Sequence, residues 1–181
     1  MSTPRSALRH LLAVLGTLAA AAAAEPAAAF NVTCAPSNTL VNFGPFDVLS
    51  GATLPAAGTV TVTCTRDQGG GAPVDVTYTA TLASSVARQM APPAGSDRVS
   101  YQVYLDAAHT QPWGDGTAGT FTIVRGPITM NANGTNVDTF TYYGLITPGG
   151  QDVSAASPGP PPTTYSQVLT ITVTCTPSPP C

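Results

Sequence analysis

Lysine is absent from this sequence and glutamate occurs once, at Glu25, so charged side chains make up only 8% of the 181 residues. From residue 30 onward four arginines (Arg66, Arg88, Arg98, Arg125) stand against eight aspartates, 4 − 8 = −4. Binding to nucleic acid by counterion release needs clustered cations, and these four are scattered. Attraction to anionic lipid headgroups needs the same cluster. Neither partner is expected. Histidine is as scarce, with only His10 and His109. One histidine in the body of the chain and no C-x-x-C spacing exclude a zinc site. Asp106 and Asp115, nine residues apart with no further acid close by, do not make a calcium loop. No G-x-S-x-G elbow, phosphate loop or dinucleotide motif occurs. His109 reads as a solvated loop residue. The aspartates, scattered singly over strand exteriors and loops, suit solubility better than the paired carboxylates of a glycosidase. No catalytic residue, metal or cofactor is expected, and the protein is read as a non-enzyme.

One long apolar run exists, LLAVLGTLAAAAAA, preceded by Arg5, Arg9 and His10 and followed by Ala27-Ala28-Ala29. A basic start, a short apolar middle and small residues at the cut describe a secretory signal peptide over residues 1–29, with cleavage after Ala24 as the alternative. The run is mostly alanine and shorter than the ~20 apolar residues a membrane span needs, so no span is expected once the signal is removed. The remaining 181 − 29 = 152 residues, 30–181, form one domain large enough to bury roughly 70% of its unfolded surface. All four cysteines lie in that exported part. An even count in an oxidising compartment favours disulfides. Three connectivities exist, and the pairing favoured here is Cys34–Cys64 with Cys175–Cys181. Loop-closure entropy gives about 3.5 kcal/mol for the first and about 2.5 kcal/mol for the second. Asn31-Val32-Thr33 and Asn133-Gly134-Thr135 match the N-glycosylation pattern, which is common by chance.

What the sequence has in abundance is alternation. TVTVTCT (59–65) puts Val60, Val62 and Cys64 on one face and threonine on the other. VDVTYTATLA (74–83), VSYQVYLD (99–106) and YSQVLTITVTC (165–175) alternate in the same way. Period two over this length means half-buried antiparallel strands. Weaker strand patterns sit at Leu40–Phe43, Thr120–Val124 and Val137–Ile146. Between them lie GPF, DQGGGAP, APPAGSD, NANGTN and TPGGQDVSAASPGPPPTT, rich in the residues turns require. The expected fold is all-β, an immunoglobulin-like antiparallel sandwich of about seven strands. WGDGT (113–117) holds the single tryptophan. Asp115-Gly116 between strand patterns reads as a turn, with Gly supplying the φ that other residues resist. Trp113 then serves as a packing plug or a surface anchor.

The order LVNFGPFD (40–47), GTVTVTC (58–64), YTATLA (78–83), RQM (88–90), VSYQVYLDAAHTQPWGDGT (99–117), YYGLI (142–146) and YSQVLTITVTC (165–175) resembles the spore coat protein U domain, the pilin family of archaic chaperone–usher pili. The resemblance covers residues 34–175, and its most specific piece is Y-x-x-Y-x-D…WGDGT, including Trp113, Gly114, Asp115 and Gly116. It implies a bond between the first cysteine and the one ending GTVTVTC, in agreement with Cys34–Cys64. It also implies an incomplete sandwich lacking its last strand. The groove so left is filled by a periplasmic chaperone, and then by the N-terminal segment of a neighbouring pilus subunit after passage through an outer-membrane usher. Main-chain hydrogen bonds plus alternate side chains in an apolar slot carry such β-augmentation. Leu169, Ile171 and Val173 are expected in the groove floor, with Leu40 and Phe43 beside them. Only FNVT precedes Cys34 after the expected cleavage, so the chain reads as a strand acceptor, a tip, terminating or freestanding subunit. The function so implied is that of a secreted structural subunit of a fimbrial surface assembly, passing through the periplasm to the cell surface and supporting adhesion and biofilm formation. The alternative is a self-complete secreted module recognising carbohydrate through Trp113 and nearby tyrosines.

Overall fold

The computed structural model describes residues 31–38, 41–47, 50–67, 71–83, 88–93, 96–149, 151–153 and 165–176. Eight strands and no helix occur among them: β1 (Val32–Asn38), β2 (Leu54–Arg66), β3 (Val74–Leu82), β4 (Arg88–Met90), β5 (Val99–Tyr104), β6 (Ile123–Met130), β7 (Thr135–Ile146) and β8 (Ile171–Thr176). They form two antiparallel sheets, β1-β2-β7-β5-β4 and β6-β3-β8. The arrangement is a β-sandwich.

Alternation decides which residues lie between the sheets. In β2, Val60, Val62 and Cys64 are fully buried, while Thr59, Thr61 and Thr63 keep contact with solvent. Thr61 meets Thr139 of β7 across the outer face, hydroxyl to hydroxyl at 3.1 Å. Val76, Tyr78, Ala80 and Leu82 of β3 and Val99, Tyr101 and Val103 of β5 complete the core. At ~25 cal/mol per Å² of apolar surface removed from water, these side chains are the main stabilising term.

Five segments differ from the sequence pattern. β1 and β4 are strands that alternation does not reveal, because Pro36 interrupts the first and the second is three residues long. The pattern at Thr120–Val124 is instead the entry to β6, which runs on through a cis Gly126-Pro127 peptide. Proline donates no ladder hydrogen bond and is tolerated there because β6 is an edge strand. Gly126 is required at that step: with φ at 142°, a Cβ would lie 2.5 Å from Thr77 Oγ1, where the β3–β6 register shifts. The segment Val41–Asp47 is irregular rather than a strand. The last strand starts at Ile171, not at Tyr165. Before it only Ser166 bridges, to Ala91, and Val168 is 91% exposed.

Candidate functional site

The two sheets end differently on their two sides. β1 borders the five-stranded sheet and β8 borders the three-stranded one, and a cleft of about 440 Å³ separates them. Its walls are Asn31–Cys34 on one side and Val173–Cys175 on the other. β8 pairs with β3 along Ile171–Thr176 through one edge of its backbone. Inward positions of β2, β3 and β5 are closed over by the facing sheet. In β8, Ile171, Val173 and Cys175 stay half-buried although they point the same way. In β8 every inward position is only half-buried, whereas β2, β3 and β5 each carry a run of fully buried ones.

The lips of this cleft are fixed covalently. Cys34 and Cys64 are directly opposed in the β1–β2 register, with Cα atoms 4.0 Å apart, and are bonded to one another. The bond pins β1 to the sheet it borders. Cys175 is also in a disulfide, and the remaining cysteine, Cys181, lies outside the described residues. Among the expected groove residues Val173 lines the cleft, and Ile171 and Leu169 follow it toward the other end of the sandwich, each packed against the core. Phe43 sits elsewhere, edge-on to the Tyr101 ring at 5.7 Å. It fills the space over Gly144, whose Cβ would come within 2.6 Å of its ring. Leu40 lies outside the described residues.

The WGDGT block closes one end of the sandwich. Trp113 is 1% exposed, its ring 5.4 Å from that of Tyr142, and its Nε1–H donates to the Ala80 carbonyl at 3.3 Å. It is a plug and not a surface anchor. Its backbone N–H donates to Val103 O of β5, and Gly114 O accepts from Leu82 N of β3, so the turn ties both sheets together. Gly114 leaves no room for a side chain, since a Cβ would lie 2.4 Å from Thr120 Oγ1. Asp115 accepts from the Thr117 N–H at 2.9 Å and the Thr117 hydroxyl at 2.6 Å, an Asx turn. Asp106 holds the preceding loop by accepting from Thr110 N, the Thr110 hydroxyl and Gln111 N. Slight desolvation opposes its ionisation, but these bonds win and keep its carboxyl below its ordinary value.

Three residues do what the sequence reading did not anticipate. Arg88 is 2% exposed. Its Nη2 donates to Trp113 O and Ala83 O, each at 3.0 Å, and its Nε to Gln102 Oε1 at 3.2 Å. Burial pulls its pKa down, with partial compensation from Tyr101. Burial likewise pushes the Tyr101 hydroxyl up to about 12, against the pull of the Arg88 charge. Asp138 is not a strand-exterior residue. It points between the sheets, accepts from the Tyr78 hydroxyl at 2.9 Å and pairs with Arg125 Nε at 3.4 Å. Burial first, and then the Asp138 hydrogen bond and charge, raise the Tyr78 pKa. His109 is not a freely solvated loop histidine either. Its ring packs edge-on against Tyr104 at 5.1 Å and Tyr143 at 6.4 Å. Period two hints at both: Arg88 shares its phase with the half-buried Met90, and Asp138 with Phe140, Tyr142 and Ile146.

No group of three His, Cys, Asp or Glu side chains comes together among the described residues. Among the described residues the arrangement offers a cleft beside β8 whose inward apolar side chains are half-buried. No curated protein matches the sequence. The family profile of the Spore Coat Protein U domain matches residues 18–172. That span exceeds four-fifths of the chain and contains the Trp113 turn, the Cys34–Cys64 pair and most of the expected groove strand. The chain therefore belongs to the Spore Coat Protein U domain family, a family of exported pilus-type structural subunits.

Proposed function

We propose that this protein is a structural subunit of a fimbrial surface assembly and that the cleft between β1 and β8 accepts a donor strand. The donor comes first from a periplasmic chaperone and, after passage through an outer-membrane usher, from a neighbouring subunit. The observation that carries this reading is the half-buried inward face of β8 beside the cleft, where β8 has no second strand partner among the described residues. An extended segment laid along Leu169–Cys175 spans about 20 Å. It hydrogen-bonds to the edge and drops alternate side chains over Leu169, Ile171 and Val173. Left open, such an edge invites uncontrolled pairing, which is why delivery by a chaperone suits it. Adhesion and biofilm formation are the downstream roles of the assembly. The alternative of a carbohydrate module built on Trp113 loses its platform, because that ring is buried against Tyr142.

The test is periplasmic expression of the chain alone, followed by size-exclusion chromatography and thermal unfolding. Aggregation or degradation, rescued by co-expressing a chaperone that remains bound, is the expected outcome. A monodisperse monomer with a cooperative melt would mean that the fold is complete without a donor.

A further inference from the structure

A second concavity lies where β5 meets β4 and the end of β7, separated from the β1–β8 cleft in the sheet order by β2 and β7. Its volume is about 230 Å³, and Arg88, Ser100, Tyr101, Gln102, Tyr104, Leu145 and Thr147 line it. The chain is acidic overall, yet none of its aspartates is in this lining. Arg88 is the unusual member. Its three hydrogen bonds all go to neutral acceptors, Gln102 Oε1 and the carbonyls of Ala83 and Trp113, and Nη1 makes none of them. The ion pair between Arg125 and Asp138 lies on other strands. A buried guanidinium without a carboxylate is costly, and an anion supplied from outside relieves that cost.

The rest of the lining has the chemistry of sugar recognition. Tyr104 offers a ring whose orientation is fixed by His109 standing edge-on to it, with Tyr143 behind. Ser100, Gln102 and Thr147 supply hydroxyl and amide groups around it. The rim is held in shape by Gln151, whose Oε1 accepts from Ser100 N at 2.7 Å and whose Nε2 donates to Ser100 O at 3.0 Å and to Thr147 O. An aromatic wall, a few convergent polar groups and a preformed rim are what small-ligand pockets share. We propose that this pocket binds a carboxylate-bearing sugar, a uronate unit of an acidic polysaccharide. The carboxylate takes the Arg88 side, the ring lies against Tyr104, and the sugar hydroxyls meet Ser100, Gln102 and Thr147. Guanidinium–carboxylate pairing provides the charge selectivity, and the tyrosine face separates a sugar from a bare anion.

The reading does not depend on strand acceptance, and the test is run on whichever soluble form exists, the exported chain alone or its complex with a strand donor. Calorimetric titration with sodium glucuronate, glucose and sodium acetate decides it. Glucuronate should bind saturably and at least about tenfold more tightly than acetate, with glucose undetected, a tenfold ratio being about 1.4 kcal/mol. Tyr104→Ala should weaken glucuronate at least about tenfold, and Thr147→Glu, which places a rival carboxylate at the rim, should abolish binding. Both side chains face outward, so each variant should melt within a few degrees of the parent. No saturable binding of glucuronate at millimolar concentration overturns the proposal. So does acetate binding as tightly as glucuronate, or glucuronate affinity unchanged in both variants.

Discussion

Replacing Trp113 with alanine is the sharpest probe of how this sandwich is held together. The indole is 1% exposed, lies 5.4 Å from the Tyr142 ring and donates its only N–H to Ala80 O. Truncation removes the transfer energy of a large ring, leaves a cavity between two sheets and strands a carbonyl acceptor. Buried tryptophan-to-alanine changes cost about 3–5 kcal/mol. The upper part of that range is expected, because the turn backbone is anchored to both Val103 and Leu82 and cannot collapse into the space. With a urea slope of about 2 kcal/mol per molar, the unfolding midpoint falls by about 2 M. Far-UV circular dichroism is the readout, since Trp113 is the only tryptophan and its fluorescence disappears with it. Trp113→Phe keeps most of the volume and loses the hydrogen bond, so it should fall between, at about 1–2 kcal/mol. A loss below about 1 kcal/mol for the alanine variant would refute the plug and restore the surface-anchor reading.

Other regions give equally direct expectations. Tyr78 and Tyr101 have raised pKa values in the fold, so their contribution to stability is whole below pH ~10 and fades as pH rises beyond it, for Tyr101 toward about 12. The urea midpoint should be flat from neutral pH to about 10 and then drop, and Tyr101→Phe should shallow that drop. Gly144→Ala sets a methyl 2.6 Å from the Phe43 ring and should cost about 1–3 kcal/mol in a thermal melt, with Phe43→Leu in the same chain restoring part of it. Replacing both Cys34 and Cys64 with serine should lower stability by about 3.5 kcal/mol and expose the β1 amides to hydrogen exchange before those of β2.

Much of this fold was legible because threonine and valine alternate without interruption. TVTVTCT and VDVTYTATLA assign the faces of β2 and β3 residue by residue, and the faces observed are those. Alternation fails where a strand is short, as at β4, or carries proline, as in β1 and β6. It also overstated the last strand: Tyr165–Thr170 alternates like a strand, but it has no continuous ladder and is held by a bridge at Ser166, a backbone bond at Thr170 and side-chain bonds at Tyr165 and Gln167. Of the residues lining the cleft, Val173 alone is one the alternation singles out for the groove. The β1 wall was not readable, because Asn31–Cys34 carries no pattern of its own and is placed by its partner, the strand ending at Arg66. Arg88 and Asp138 escaped for a different reason. Charged residues are expected outside, and their burial is decided by carbonyls and a tyrosine hydroxyl contributed from distant positions in the chain.

The disulfide between β1 and β2 has a mechanical meaning. Tension applied at the start of β1 reaches Cys34 and passes through sulfur into Cys64, near the end of a strand paired on both sides. The stretch between the two cysteines, which stand 30 positions apart, is thereby taken out of the line of pull. About 100 Å of chain that would otherwise pay out on extension stays sheltered. A filament assembled from such units would stretch less for each domain that yields, and β2 would keep its place while the remainder gave way.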